Sequence, residues 1–123
     1  FEAKGGQMDE KIQELYESIN FLGFHATYHR DNNYVENSKG VLLQVQEFVQ
    51  WFMEQRFGLE SEVYENLLDI LKDCETAFTE HDNVLMMDAL EQGISGYLEM
   101  FLSEEYFREK ETVYVGELEG QES

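Results

Sequence analysis

Apolar residues recur along this chain at alternating steps of four and three, and each run of that rhythm ends at a short polar break. Met8, Ile12, Leu15, Ile19 and Leu22 draw one stripe down a helix, because residues three and four apart share a face at about 3.6 residues per turn. Gly23 does not stop it, since a mid-helix glycine costs only about 1 kcal/mol relative to alanine, and Phe24 and Tyr28 are expected to extend the stripe to about His29. RDNN at 30–33 breaks the pattern, and Asn33 followed by Glu36 has the form of a reciprocal N-cap for a second helix. That helix carries Leu42, Val45, Val49 and Phe52, widened by Val41, Phe48 and Trp51, and ends near Arg56 before Phe57 and Gly58.

Ser61 is placed to cap a third helix, whose apolar positions are Tyr64, Leu67, Leu71, Cys74 and Phe78, with Val63, Ile70 and Ala77 alongside. His81 to Asn83 interrupt it. Asp82 then caps a fourth helix through Met87, Leu90, Ile94, Tyr97 and Phe101, which is expected to run on to about Lys110. Gly93 and Gly96 would leave a smooth patch on it where another backbone can approach, or lie on a solvated face. The expected fold is all-α: an antiparallel up-down four-helix bundle over residues 8–111, with short turns between neighbours. Residues 1–7, FEAKGGQ, read as a disordered, frayed or appended end, and the acidic tail 112–123 as a short C-terminal arm.

Composition narrows the class. The chain has 123 residues, no proline, 42% hydrophobic and 14% aromatic residues, which is enough for one core and too apolar for a disordered chain. Twenty-seven acidic residues against eight basic ones give a formal charge of −19. Such a field repels nucleic acid and anionic membrane surfaces and favours a basic or apolar protein partner. No apolar run approaches the roughly 20 residues that span a bilayer, and the single cysteine, Cys74, excludes an intrachain disulfide. A reducing, cytoplasmic setting is expected.

Few residues carry recognisable chemistry. A dinuclear carboxylate site in a bundle needs Glu-x-x-His pairs, and none of His25, His29 and His81 has Glu three residues before it. His25 and His29, one turn apart, are the weak candidates for a metal, together with Asp31 or Glu36; otherwise they are histidines near a helix C-terminus. Cys74 falls in an apolar stripe, where a thiol behaves as a small hydrophobe. No phosphate-binding glycine loop or nucleophile–base spacing is present, so neither an enzyme nor a cofactor is expected. Asp88 sits at the edge of its stripe, where it either reaches water or takes a buried hydrogen bond. Trp51, Phe52, Phe57, Tyr97, Phe101, Tyr106 and Phe107 are more aromatic surface than a small core easily hides, which points to a partner groove or a homodimer face.

HDNVLMMDALEQGISGYLEMF at the fourth helix, with EFVQWF in the second and AFTEHD in the third, resembles a family of short acidic bacterial helical proteins. In that family Asp-Val/Ile-Leu-x-x-Asp-x-Leu-Glu opens the last helix, matched here by Asp82, Val84, Leu85, Asp88, Leu90 and Glu91, with Asn83 interposed. The resemblance covers roughly residues 8–102 and implies a bacterial accessory protein, loosely associated with flagellar or surface-glycosylation functions and without assigned activity. Joined to the composition, it gives the expected role: a non-enzymatic accessory or chaperone-like protein binding a partner through Trp51, Asp88, Glu91, Tyr97, Phe101, Tyr106 and Phe107 on helices two and four. A small-ligand or metal-binding bundle is the alternative, and an acidic decoy for a nucleic-acid-binding protein a third reading.

Overall fold

A computed structural model describes residues 2–29, 33–55, 57–103, 106 and 108, with side chains from residue 8 onward except at 29. Its helices are α1 (Glu2–His29), α2 (Tyr34–Glu54), α3 (Ser61–Glu80) and a fourth built of three consecutive pieces: α4 (Asn83–Met87), a π-helical segment (Asp88–Ile94) and α5 (Ser95–Glu99). α1 packs on α2, α2 on α3, α3 on the fourth helix, and the fourth helix back on α1. Short connections make neighbours antiparallel, so the molecule is an all-α up-down four-helix bundle. Among the described residues no helix is long and apolar enough to cross a membrane.

The core follows the predicted stripes with small changes of phase. From α1 it takes Ile12, Leu15, Ile19 and Leu22, all buried. Phe24 and Tyr28 do not extend that line. At about 100° per residue Phe24 lies some 200° round from Leu22, whereas Ala26 continues the rhythm and packs against the core. In α2 the buried line is Tyr34, Ser38, Val41, Val45, Phe48 and Phe52, with Leu42 only partly buried. Ser38 fits there because its hydroxyl donates to the Val35 carbonyl at 2.7 Å. In α3 Ala77, not Phe78, closes the buried set, as expected of a straight helix drifting from a 3.5-residue repeat.

The helix ends differ more from expectation. The backbone of α1 begins at Glu2, so the helical path takes in Gly5 and Gly6, where a frayed end was expected; glycine lowers helix propensity there without forbidding it. Asn33 occupies the N-cap position of α2 without a side-chain capping bond. The Val35 N–H instead donates to Asn83 Oδ1 at 2.9 Å, so the fourth helix caps the second, and Glu36 turns to Lys39 at 3.0 Å. Ser61 is the first residue of α3 rather than its cap, a place taken by Glu60 without a side-chain bond. Asp82 does cap α4, accepting from the Leu85 N–H at 3.0 Å.

The fourth helix does not continue to Lys110. α5 ends at Glu99, and turns follow at Met100 and Phe101. Its buried residues Met86, Leu90, Ile94 and Leu98 recur every four positions. An α-helix would carry that repeat round its surface by about 40° per step. The π segment, with the Ser95 N–H bonded to the Leu90 carbonyl five residues back, widens the turn and holds the line on the core. The C-terminal arm falls on residues outside those described.

Candidate interaction surface

The aromatic residues expected to line a groove on helices two and four mostly pack against each other. Trp51 and Phe101 meet edge to face with ring centroids 5.3 Å apart, and Phe52 sits 5.6 Å from Tyr97 at 89°. Phe57 lies 5.9 Å from Trp51 and 5.5 Å from Phe101. This cluster closes one end of the bundle, where the α2–α3 connection folds over it. Trp51, Tyr97 and Phe101 are each partly buried. The Tyr97 hydroxyl donates to the Val63 carbonyl at 2.8 Å and accepts from Asn66 Nδ2 at 2.9 Å, tying the fourth helix to the opening two turns of α3. Edge-to-face geometry of this kind contributes roughly 0.5–1.5 kcal/mol per pair beyond area burial.

Tyr106, expected among exposed aromatics, is buried. The turns after α5 bring it back to α1, where its hydroxyl donates to Glu17 Oε1 at 2.8 Å and its ring meets Tyr16 edge on. Phe107 lies outside the described residues. Asp88 is exposed, so it reaches water rather than taking a buried hydrogen bond. Gly93 does not offer a smooth patch to another backbone: a Cβ there would lie 2.7 Å from Ile70 Cγ2, so the glycine makes room for a side chain of α3. Gly96 is exposed with nothing within 4 Å of such an atom.

Glu91, expected to meet a partner, turns inward instead. The π segment aims it at α1, where a Cβ on Gly23 would lie 2.5 Å from Oε1. Its Oε2 is buried without a hydrogen-bond partner, as are Tyr34 Oη and Ser95 Oγ. Burial first, and then the neighbouring Glu91 carboxylate, push the Tyr34 phenol well above its ordinary range. The carboxylate is near enough to act on the phenol, yet the two make no hydrogen bond of good geometry. On the same side of the core the Cys74 thiol is pushed up to about 12, by burial and then by Asp73 and Glu75, so at neutral pH it is a protonated, inert hydrophobe.

The exposed aromatics are elsewhere. Phe21, Phe24 and Tyr28 on α1 are 64%, 68% and 73% exposed, and Phe24 stacks on Tyr28 at 5.8 Å and 15°. His25 joins them, 6.0 Å from the Phe21 ring. Positions 21, 24, 25 and 28 are spaced as a second helical stripe, turned away from the core one. That spacing was the available signal, and the extension of the core stripe through Phe24 and Tyr28 concealed it. Beside this stripe an open trough of about 730 Å³ runs between α1 and α2, lined by Glu14, Glu17, Phe21, His25, Val41 and Gln44 among others.

His25 and His29 share one helix, but the side chain of His29 is outside the described set, and Glu36 pairs with Lys39 and with His81 at 3.5 Å. Among the described residues no group of three or more His, Cys, Asp or Glu side chains is placed to hold a metal ion. No family model, no curated protein and no solved structure matches the chain.

Proposed function

We propose that this protein is a non-enzymatic accessory of the bacterial cytoplasm that binds a protein partner through an acidic, aromatic-lined helical surface. The observation that carries the reading is the outward stripe of Phe21, Phe24 and Tyr28 on α1. Three neighbouring aromatic side chains held in water forgo burial worth roughly 1.5–3 kcal/mol apiece, and clustered exposed aromatics mark interaction sites. The surface therefore lies on α1 and its border with α2, whereas Trp51, Tyr97 and Phe101 hold the far end of the bundle together. The general charge of −19 favours a basic or apolar partner.

The test is capture from the source cell with three baits: the unaltered protein, the triple variant Phe21→Ser, Phe24→Ser, Tyr28→Ser, and Asp69→Lys on the exposed face of α3 as a remote control. A protein held by the first and third baits and lost from the second, with circular dichroism unchanged, is the expected result. Identical capture by all three baits would remove the proposed surface.

A further inference from the structure

We propose that the trough between α1 and α2 seats a cationic amphipathic helix from another protein, an inference that rests on the protein-binding reading and adds the partner's chemistry. The first support is length. A second, smaller cavity shares Glu14 and Gln44 with the main trough and carries it back along α1 to Met8. From Met8 to His25 the seam follows α1 for roughly 25 Å at 1.5 Å per residue, the length of a helix of some five turns. A narrow molecule that runs parallel to both walls fits that shape, and helix-in-groove docking is an established mode of peptide recognition.

The second support is charge. Lys11 and Glu47 offset each other as an ion pair in the lining, which leaves Glu14 and Glu17 as the trough's net negative charge. Against the −19 background the seam attracts Lys and Arg on the flanks of an incoming helix. The same field opposes a second copy of this chain, which would bring an equal negative charge to the contact. The third support is the aromatic end: Phe21 forms part of the wall, and Phe24 and Tyr28 continue beyond it. Aromatic faces take apolar side chains from one face of a helix and cations from its flanks.

The experiment is fluorescence anisotropy with a labelled peptide of about 18 residues, leucines on one helical face and lysines on the flanks, beside a scramble of identical composition and a neutral glutamine version. The amphipathic lysine peptide is expected to bind about tenfold or more tighter than the scramble, and to weaken as salt rises. Both the triple aromatic variant and Gln44→Lys, on a side chain exposed to the trough, should weaken it by about tenfold while melting as the parent does. Equal binding of the scramble, or unchanged binding by either variant, would overturn the proposal, because the attraction would then be charge alone or located elsewhere. Tighter binding of the neutral peptide, lost in the aromatic variant, overturns the cationic partner and leaves the protein-binding surface standing. Binding of no helical peptide overturns the helical occupant, and if the cell-capture baits also behave alike the protein-binding reading falls with it. Concentration-dependent dimerisation lost in the aromatic variant would hand the trough to a second copy.

Discussion

Two glycines in this bundle make room for different neighbours, and the difference sets what alanine does at each. At Gly93 the added Cβ meets Ile70 Cγ2 at 2.7 Å, a branched methyl fixed close to the α3 backbone. At Gly23 it meets the carboxylate end of Glu91, which has rotatable bonds to swing on. Gly93→Ala is therefore expected to cost about 1–3 kcal/mol by overpacking. Gly23→Ala should come close to neutral, its strain offset by about 1 kcal/mol of helix propensity. Urea unfolding measures both, and in an Ile70→Ala background the cost of Gly93→Ala should vanish; a cost that persists would place the strain in the π backbone. Cys74 gives a second prediction. A buried thiol whose folded pKa is raised to about 12 from 9.0 is stabilising below pH 9, and that contribution is lost as pH climbs toward 12, because only the unfolded chain ionises in between. Stability should start to fall near pH 9, the onset should be blunted in Cys74→Ala, and the native thiol should resist alkylation at pH 8.

At the scale of the element, the four-residue repeat of Met86, Leu90, Ile94 and Leu98 predicts an asymmetric response to deletion. Removing the exposed Gln92 leaves the core residues spaced four, three and four, which an ordinary α-helix satisfies. Removing the exposed Lys72 from α3 rotates half of a regular helix by about 100°. The Gln92 deletion is expected to fold and unfold cooperatively within about 2 kcal/mol of the parent, whereas the Lys72 deletion should lose its sharp thermal transition; equal damage would show that the π segment stores no slack. The helices themselves were legible, since core stripes and polar breaks are local in sequence. The π segment was not, because a bond from the Ser95 N–H to the Leu90 carbonyl is selected by packing on α3 and α1, which are distant in sequence. The proposed interaction face was half legible. Aromatic excess was visible, but Trp51 packs on Phe101 and Tyr97 on Phe52 through contacts between helices, whereas Phe21, Phe24 and Tyr28 were hidden by continuing a core stripe past Leu22. Nothing local ties Glu91 to Gly23 or Asn83 to Val35.

At the scale of the molecule, charge acts on stability and on binding in opposite senses. With −19 spread over a small bundle, self-repulsion weakens the compact state, and salt screens it within a Debye length of about 10 Å at 0.1 M. Raising NaCl from roughly 10 mM to 0.5 M should lift the melting temperature by several degrees, as about 1 kcal/mol does in a domain of this size, while a cationic peptide is released over the same range. A flat melting temperature would mean that the described ion pairs, such as Glu36 with Lys39, already balance the field. The cap that Asn83 gives to Val35 bears on how the chain is born. During synthesis α1, α2 and α3 all leave the ribosome before residue 83 exists outside it, so the opening turn of α2 has to wait for the last third of the chain. Nascent chains halted after α3 would offer that turn to a protease, and a few residues more would close it.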